Sequence, residues 1–387
     1  MRIIHTNIGV ISKRGGPPVV IANLAAEQAR LGHDVCVVSL ASDKDGVDEV
    51  RRTLDSVSGG AAVRMHVLQM HQRSTWLLGI VDKSLLPEGL WDVVHIHELW
   101  GPFDYAVSRA AIARQIPYVI TMHGLLSPNR LALSLTRISF KALKKRVARA
   151  LWVDRMLRGA HFVQGLTEFE CLAVAKILPG LRLVRIANGY GALTESESTK
   201  VDEIRGLVGG RRFVLFMSRL HILKGTDLLV TAFAAVSSQF PNVDLVVAGS
   251  DFGQRSSMEA EVAQSDIKSR VHFIGMTGGG AKSWLLKHAD VFVLPSREEG
   301  FSIAILEAMS MASPVIMTHE CHFPEAEAAG AAIVVDVTST ALANALEKML
   351  SDTDLRERLG QAGQTLVRKE YAWQNITKQI LAAYESE

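Results

Sequence analysis

With 387 residues, 48% hydrophobic and 21% charged, the chain has the length of two or three domains and too much apolar side chain to be disordered. Three scattered cysteines, Cys36, Cys171 and Cys321, argue against a disulfide scaffold and a structural zinc site, and no apolar run reaches the roughly 18 residues of a membrane span, so a cytoplasmic protein is expected. The net charge of +2 conceals an asymmetry, with bases in excess over residues 1–190 and acids in excess beyond, as for two domains facing different partners.

In chain order, residues 2–6 read as a strand. Gly15-Gly16-Pro17-Pro18 follows, where glycine allows close backbone approach and proline suits a first helical turn; the segment fits a phosphate or sugar cradle or a plain tight turn. A strand at 35–40 runs into Asp43-Lys44-Asp45, formally an Asp-x-Asp metal motif but read as a solvated loop. Trp76 and Trp100 are candidates to stack on acceptor sugars, or simply to pack. A strand at 93–97 carries His95 and His97 on one face. No third ligand is evident, so histidines beside a sugar or acceptor pocket are expected rather than a metal site. The strand at 118–121 leads to His123-Gly124, a candidate for hydrogen bonding or acid–base work, or a packed histidine. Residues 130–158 hold nine Lys and Arg, among them Arg137, Lys141, Lys144, Lys145 and Arg149, against one acid, Asp154. With apolar residues interleaved, that composition suits an amphipathic helix on an anionic membrane surface, while no nucleic-acid module accompanies it. Strands at 161–164 and 184–186 complete a first set of six.

The polar stretch 188–201 reads as a linker. Beyond it, strands are expected at 213–217, 245–248, 271–274, 291–294, 314–317 and 333–335. Runs apolar on both faces and separated by helix-length segments indicate parallel sheets covered by helices, here two doubly wound α/β domains that bind ligands at the C-terminal ends of their strands. After 213–217 come Arg219 and Lys224, two cations just ahead of a helix. They oppose its dipole unless an anion binds there, or unless both are merely solvated. Truncating either is therefore expected to leave the ligand-free fold no less stable. After 291–294 comes Glu299-Gly300-Phe301-Ser302, then a helix from Ile303 in which Glu307 is the only charge before Ala312. A lone carboxylate on an apolar helix needs a polar partner or a ligand's hydroxyls.

Together these stretches resemble the retaining, GT-B-fold glycosyltransferases of family four over nearly the whole chain. The most specific match is the Glu-x7-Glu run from Glu299 to Glu307. Arg219 with Lys224, Gly15-Gly16, His123-Gly124, Val271-His272-Phe273-Ile274-Gly275 and Asn188-Gly189 support it, and Tyr371-Ala372-Trp373 resembles the start of the family's final helix. Ser218 and Ser302 stand where glycine is commoner, and Gly191 where the family often has Asp.

The resemblance implies two Rossmann-like domains with an interdomain cleft, residues 1–190 plus 366–387 and residues 191–365, closing over a nucleotide-sugar. It implies that Arg219 and Lys224 bind the donor diphosphate, Glu307 the ribose hydroxyls and Glu299 the transferred sugar. The amides of Ser302 and Ile303 would meet the phosphates from the loop holding Gly300 and Phe301, with Ile274 near the base. Gly15 and Gly16 would approach the diphosphate, and His123 the sugar. Such an enzyme moves a hexose-type sugar to a glycan or lipid-linked acceptor in surface polysaccharide synthesis, without cofactor or divalent metal. An epimerase or hydrolase of nucleotide-sugars on the same fold, and a non-catalytic nucleotide-sugar-binding protein, are the alternatives.

Overall fold

A computed structural model describes residues 1–7, 16–41, 44–69, 82–124, 143, 146–191, 193 and 195–386. They form two units, Met1–Gly189 with Trp373–Glu387, and Tyr190–Ala372.

In the first unit, strands β1 (Arg2–Asn7), β2 (Asp34–Ala41), β3 (Arg64–Gln69), β4 (Val93–Ile96), β5 (Tyr118–Thr121), β6 (Phe162–Gly165) and β7 (Leu183–Arg185) pair in the order β3-β2-β1-β4-β5-β6-β7, all parallel. Strands β4, β5 and β6 are buried along their whole length, the burial that continuous apolar runs demand when helices cover both faces. Leu24 and Ile21 of helix Gly16–Arg30, Phe103 of helix Pro102–Ala113 and Val153 fill the space between helices and sheet. The chain order reverses between β1 and β4, and that switch point is where an open parallel sheet leaves a crevice for ligands.

The second unit repeats the plan with β8 (Arg212–Met217), β9 (Val243–Ala248), β10 (Val271–Gly275), β11 (Val291–Leu294), β12 (Val315–Thr318) and β13 (Ala332–Val335), ordered β10-β9-β8-β11-β12-β13 and all parallel. Phe213, Phe216, Phe233 and Phe292 are fully enclosed in its core. Its switch point lies between β8 and β11, the two strands that feed Arg219–Lys224 and Glu299–Glu307.

Three expectations change. The first sheet has a seventh strand, β3. It sits at the edge with one neighbour, and its sequence Arg-Met-His-Val-Leu-Gln lacks the doubly apolar run that marks an interior strand. Lys44 and Asp45 open helix Lys44–Asp55 instead of a solvated loop, with Asp45 in the first turn where the dipole favours an acid; Asp43 lies outside the described residues. Residues 366–372 belong to the second unit. Helix Thr353–Glu370 packs on helix Ile303–Ser310, with Gln364 Nε2 donating to the Ser310 carbonyl at 2.9 Å. The chain rejoins the first unit at helix Trp373–Glu385, which packs on helix Gly16–Arg30. Gly189 allows this: a Cβ there would come within 2.6 Å of the Trp373 ring.

Candidate active site

In the second unit, the turn after β8 and the loop after β11 lock together. Gly225 holds φ at +67°, and a Cβ on it would stand 1.9 Å from the Pro295 carbonyl oxygen. Arg297 ties the same two segments: it donates to both carboxylate oxygens of Asp227 at 2.7 Å, to the Ile222 carbonyl at 2.8 Å, and through its amide to Leu223 at 2.8 Å. This close fit sets Lys224 against Glu299. Their side chains are about nine-tenths buried and form an ion pair, and Ser296 Oγ donates to the same Glu299 oxygen at 2.9 Å.

The Lys224 charge thus has a carboxylate partner in the ligand-free fold, and the expectation of an unrelieved clash with the helix dipole fails for this residue. Arg219 is different. It is exposed, has no carboxylate partner among the described residues, and its guanidinium lies 5.3 Å from the Phe252 ring centroid.

Glu307 also has a protein partner. Lys282, on helix Gly279–His288, donates to its Oε1 at 2.5 Å, and both side chains are mostly buried. No sequence signal marked Lys282, which follows a glycine run with nothing to tie it to a carboxylate 25 residues on. Helix Ile303–Ser310 begins after Ser302, whose hydroxyl caps no amide, so the first amides of the helix keep their donors for an anion. Gly300 and Phe301 complete the loop. The Phe301 ring packs with Phe323 and Tyr371 at 5.6 and 5.9 Å, so its side chain anchors the loop rather than facing a ligand. Ile274 lies near the end of β10, half-buried.

In the first unit, the ends of β1, β4 and β5 bring four histidines together. His5 Nε2 meets Gln28 Oε1 at 2.6 Å, His5 Nδ1 meets His97 Nε2 at 2.9 Å, and His97 Nδ1 meets His123 Nε2 at 3.1 Å. His95 stacks on His97 with centroids 4.0 Å apart and bonds to the Tyr384 hydroxyl and to Thr121 Oγ1, each at 2.6 Å. Burial pushes His5 and His123 down to about 4 and holds His95 and His97 well below the ordinary histidine value, so all four are neutral near pH 7.

His5, His95 and His97 place nitrogens within 4.8 Å of one another, close enough to suggest a metal. Yet all six of their ring nitrogens already have hydrogen-bond partners, and a metal would have to displace them. His95 and His97 are themselves fully enclosed, so neither lines a pocket directly. His123 alone is partly open. Its backbone is left-handed, φ +47°, and so is that of Gly124, φ +73°. Buried Glu170 holds this turn, accepting from the Gly124 amide at 2.7 Å and the Leu166 amide at 2.8 Å.

Two family descriptions divide the chain as the sheets do: Glycosyl transferase 4-like domain matches residues 15–189, and Glycosyl transferases group 1 matches 197–366. The chain belongs to the group 1 glycosyltransferases. It is 25% identical to the phosphatidyl-myo-inositol mannosyltransferase of Mycobacterium tuberculosis, across 96% of this chain and 93% of that one. Sucrose-phosphate synthase from Thermosynechococcus elongatus shares its fold at TM-score 0.77 and 20% identity, covering 99% of this chain and 98% of the other. HepE from Anabaena, solved with UDP-glucose, does so at TM-score 0.75 and 20% identity over the full length of both. The two parallel sheets are the two Rossmann-like domains of the GT-B fold.

Of the residues singled out in this glycosyltransferase from sequence, the structure brings Arg219, Lys224 and Glu299 to the ends of β8 and β11, and Ser302, Ile303 and Glu307 to the helix that follows. Gly16 opens its helix. Gly15, Trp76, Arg137, Lys141, Lys144 and Lys145 lie outside the described residues. Trp100 packs against the first unit's core. Arg149 is not a free surface cation, since Asp154 accepts from it at 3.0 and 3.1 Å. Among the described residues no helix is long and apolar enough to cross a membrane.

Proposed function

We propose that this glycosyltransferase moves a hexose-type sugar, with retention of configuration, from a nucleotide-sugar to a glycan or lipid-linked acceptor in surface polysaccharide synthesis at the cytoplasmic face of the membrane. The observation that carries this reading is the pair of ion pairs bracketing the Glu-x7-Glu run, Lys224 with Glu299 and Lys282 with Glu307, at the second unit's switch point. A diphosphate meets Arg219, Lys224 and the helix-start amides of Ser302 and Ile303. The ribose hydroxyls donate to Glu307, and Glu299 takes hydroxyls of the sugar. The bond from the anomeric carbon to the diphosphate oxygen breaks, the acceptor oxygen bonds to that carbon from the same face, and the acceptor's proton goes to the departing diphosphate. The leaving group gains negative charge, so cations and amides already aimed at it stabilise the transition state more than the bound donor.

On this reading no cofactor or divalent metal takes part, because the cations and amides do the work of charge neutralisation. The basic stretch 130–158 serves contact with anionic lipid. Its described part exposes Leu143, Val147 and Leu151 at helical spacing.

Thermal-shift screening against UDP-, GDP- and ADP-sugars, followed by product analysis with a lipid extract, tests the proposal. Stabilisation by one nucleotide-sugar and transfer to a lipid-linked or glycan product with the donor's anomeric configuration are expected. Donor isomerised or hydrolysed without transfer would point to the epimerase alternative, and no stabilisation by any donor would overturn the reading. Transfer lost in excess chelator and restored by one cation would overturn the metal-free part.

A further inference from the structure

A single exposed phenylalanine needs no explanation in itself, but Phe252 is exposed in a fixed place. The loops after β8 and β9 are laced together around it. The Leu220 amide donates to the Ser250 carbonyl at 2.8 Å, and the Phe252 amide donates to the Leu220 carbonyl at 3.0 Å. Gly249 lets the two loops run this close, since a Cβ there would stand 1.8 Å from the Ser218 carbonyl oxygen. Asp251 fixes the turn that follows. Its Oδ1 accepts from the amide of Gly253 at 2.8 Å and from those of Gln254 and Arg255 at 3.1 Å. The backbone is thus held on both sides of Phe252, and the Arg219 guanidinium lies over its ring, 5.3 Å from the centroid.

How a cation is held decides what it has left for a ligand. A guanidinium carries five N–H donors, and a carboxylate or carbonyl partner occupies some of them. Arg297 is such a case, with its donors committed to Asp227 and to the Ile222 carbonyl. An aromatic face attracts the cation through its quadrupole and occupies none. The Arg219 side chain makes no hydrogen bond among the described residues, and the carboxylate of Asp251, next to Phe252, is turned to the start of helix Arg255–Ala263. Arg219 is therefore held with its charge uncompensated and its donors unused. Lys224, five residues on, has the opposite arrangement, because its ammonium is already paired with Glu299.

We propose that Phe252 is a positioning residue for the donor's diphosphate: its ring holds the Arg219 guanidinium at the end of β8 with every N–H donor available to the phosphate oxygens. The proposal rests on the transferase reading above, which puts the diphosphate at Arg219. The ring acts on the ligand only through the arginine. Without the ring, Arg219 spreads over its other rotamers, and the apparent affinity for a diphosphate falls in proportion to the fraction of chains that still hold it in place. For an exposed cation on an aromatic face, that fraction changes about 2- to 5-fold.

Calorimetric titration of the full chain with UDP, GDP and ADP, in a double-mutant cycle, tests this. Phe252→Leu keeps an apolar side chain and removes the ring face, whereas Phe252→Trp keeps a ring. For the diphosphate that binds the parent chain, Phe252→Leu should weaken binding about 2- to 5-fold, and Phe252→Trp should bind as the parent does or more tightly. In an Arg219→Ala background, Phe252→Leu should change nothing further. Equal weakening by Phe252→Leu with and without Arg219 would overturn the proposal, since the ring would then stack on the nucleotide itself. Full affinity in Phe252→Leu, or a tryptophan variant no better than leucine, would overturn it too, and with the parent and Arg219→Ala behaving as expected would leave the transferase reading standing. A parent chain that binds none of the three diphosphates would overturn the transferase reading and the proposal together.

Discussion

Lys282 Nζ donates to Glu307 Oε1 at 2.5 Å, joining two neighbouring helices of the second unit. The glutamate is thereby charged, paired and mostly buried before any ligand arrives. Removing one partner of such a pair leaves the other short of compensation. Lys282→Met, which keeps the stem and loses the charge, should cost about 1–3 kcal/mol in denaturant unfolding. With Glu307→Gln in a double-mutant cycle, the coupling should be about 1 kcal/mol or more. Unfolding midpoints that stay at the parent's value in Lys282→Met would show that the pair carries no stability.

Arg219 and Lys224 should part company, although both are assigned to the diphosphate. Lys224→Ala strands buried Glu299 with Ser296 as its only remaining side-chain donor among the described residues and should cost about 2–4 kcal/mol. Arg219→Ala gives up an exposed cation resting on Phe252 and should leave the ligand-free chain within about 0.5 kcal/mol of the parent. Both should slow sugar transfer by about 10²–10³-fold, the scale of one preorganised charge contact. Parallel thermal-shift and rate measurements on the two variants check this. Near-normal transfer in either would move the diphosphate elsewhere.

How much of this was legible beforehand depended on how local the signal was. Interior strands such as β5 and β11 announce themselves as short, doubly apolar runs, and the doubly wound plan follows from their alternation with helices. Edge strand β3 does not, because one-sided pairing lets Arg64 and His66 sit in it. Glu299, Lys224 and Arg219 were readable because each falls in a loop directly after a strand of the sheet. Lys282, Glu170 and the Tyr384 hydroxyl were not. Each meets its partner through tertiary packing: Tyr384 reaches His95 across 289 residues of sequence. The shared face of His95 and His97 was legible but their burial was not, since alternation along a strand gives the face and not what covers it.

Gly225 is the hinge of the fit between the β8 and β11 loops, so Gly225→Ala should fail twice, once by left-handed strain at φ +67° and once by collision with the Pro295 carbonyl. A loss of about 2–4 kcal/mol is expected. Gly209→Ala is the control, with φ +59° and open space around its Cβ; strain alone should cost about 1 kcal/mol. Equal losses in the two variants, read from unfolding curves, would show that the Pro295 contact is not the constraint.

The histidine row should make the chain acid-sensitive well above the carboxylate range. His5 and His123 protonate near 4 when folded, and His95 and His97 are also lowered, whereas the unfolded histidines protonate near 6.5. Between those values the unfolded chain binds more protons, so stability is whole above about pH 6.5 and falls as pH drops toward 4. Each such histidine contributes a slope of about 1.4 kcal/mol per pH unit. Buried Asp104 works the other way. Its folded carboxyl is held well above its ordinary value by burial and Glu98, so it retains a proton that the unfolded chain releases and cancels up to one histidine's worth of slope. Four lowered histidines outweigh it. Denaturant unfolding between pH 7 and 5.5, above the titration of ordinary carboxylates, should therefore show stability dropping by about 1–3 kcal/mol. His5→Asn should flatten that dependence by roughly one proton. A stability that holds level across the window would mean that the row takes up protons without resisting them, and that burial does not keep it neutral.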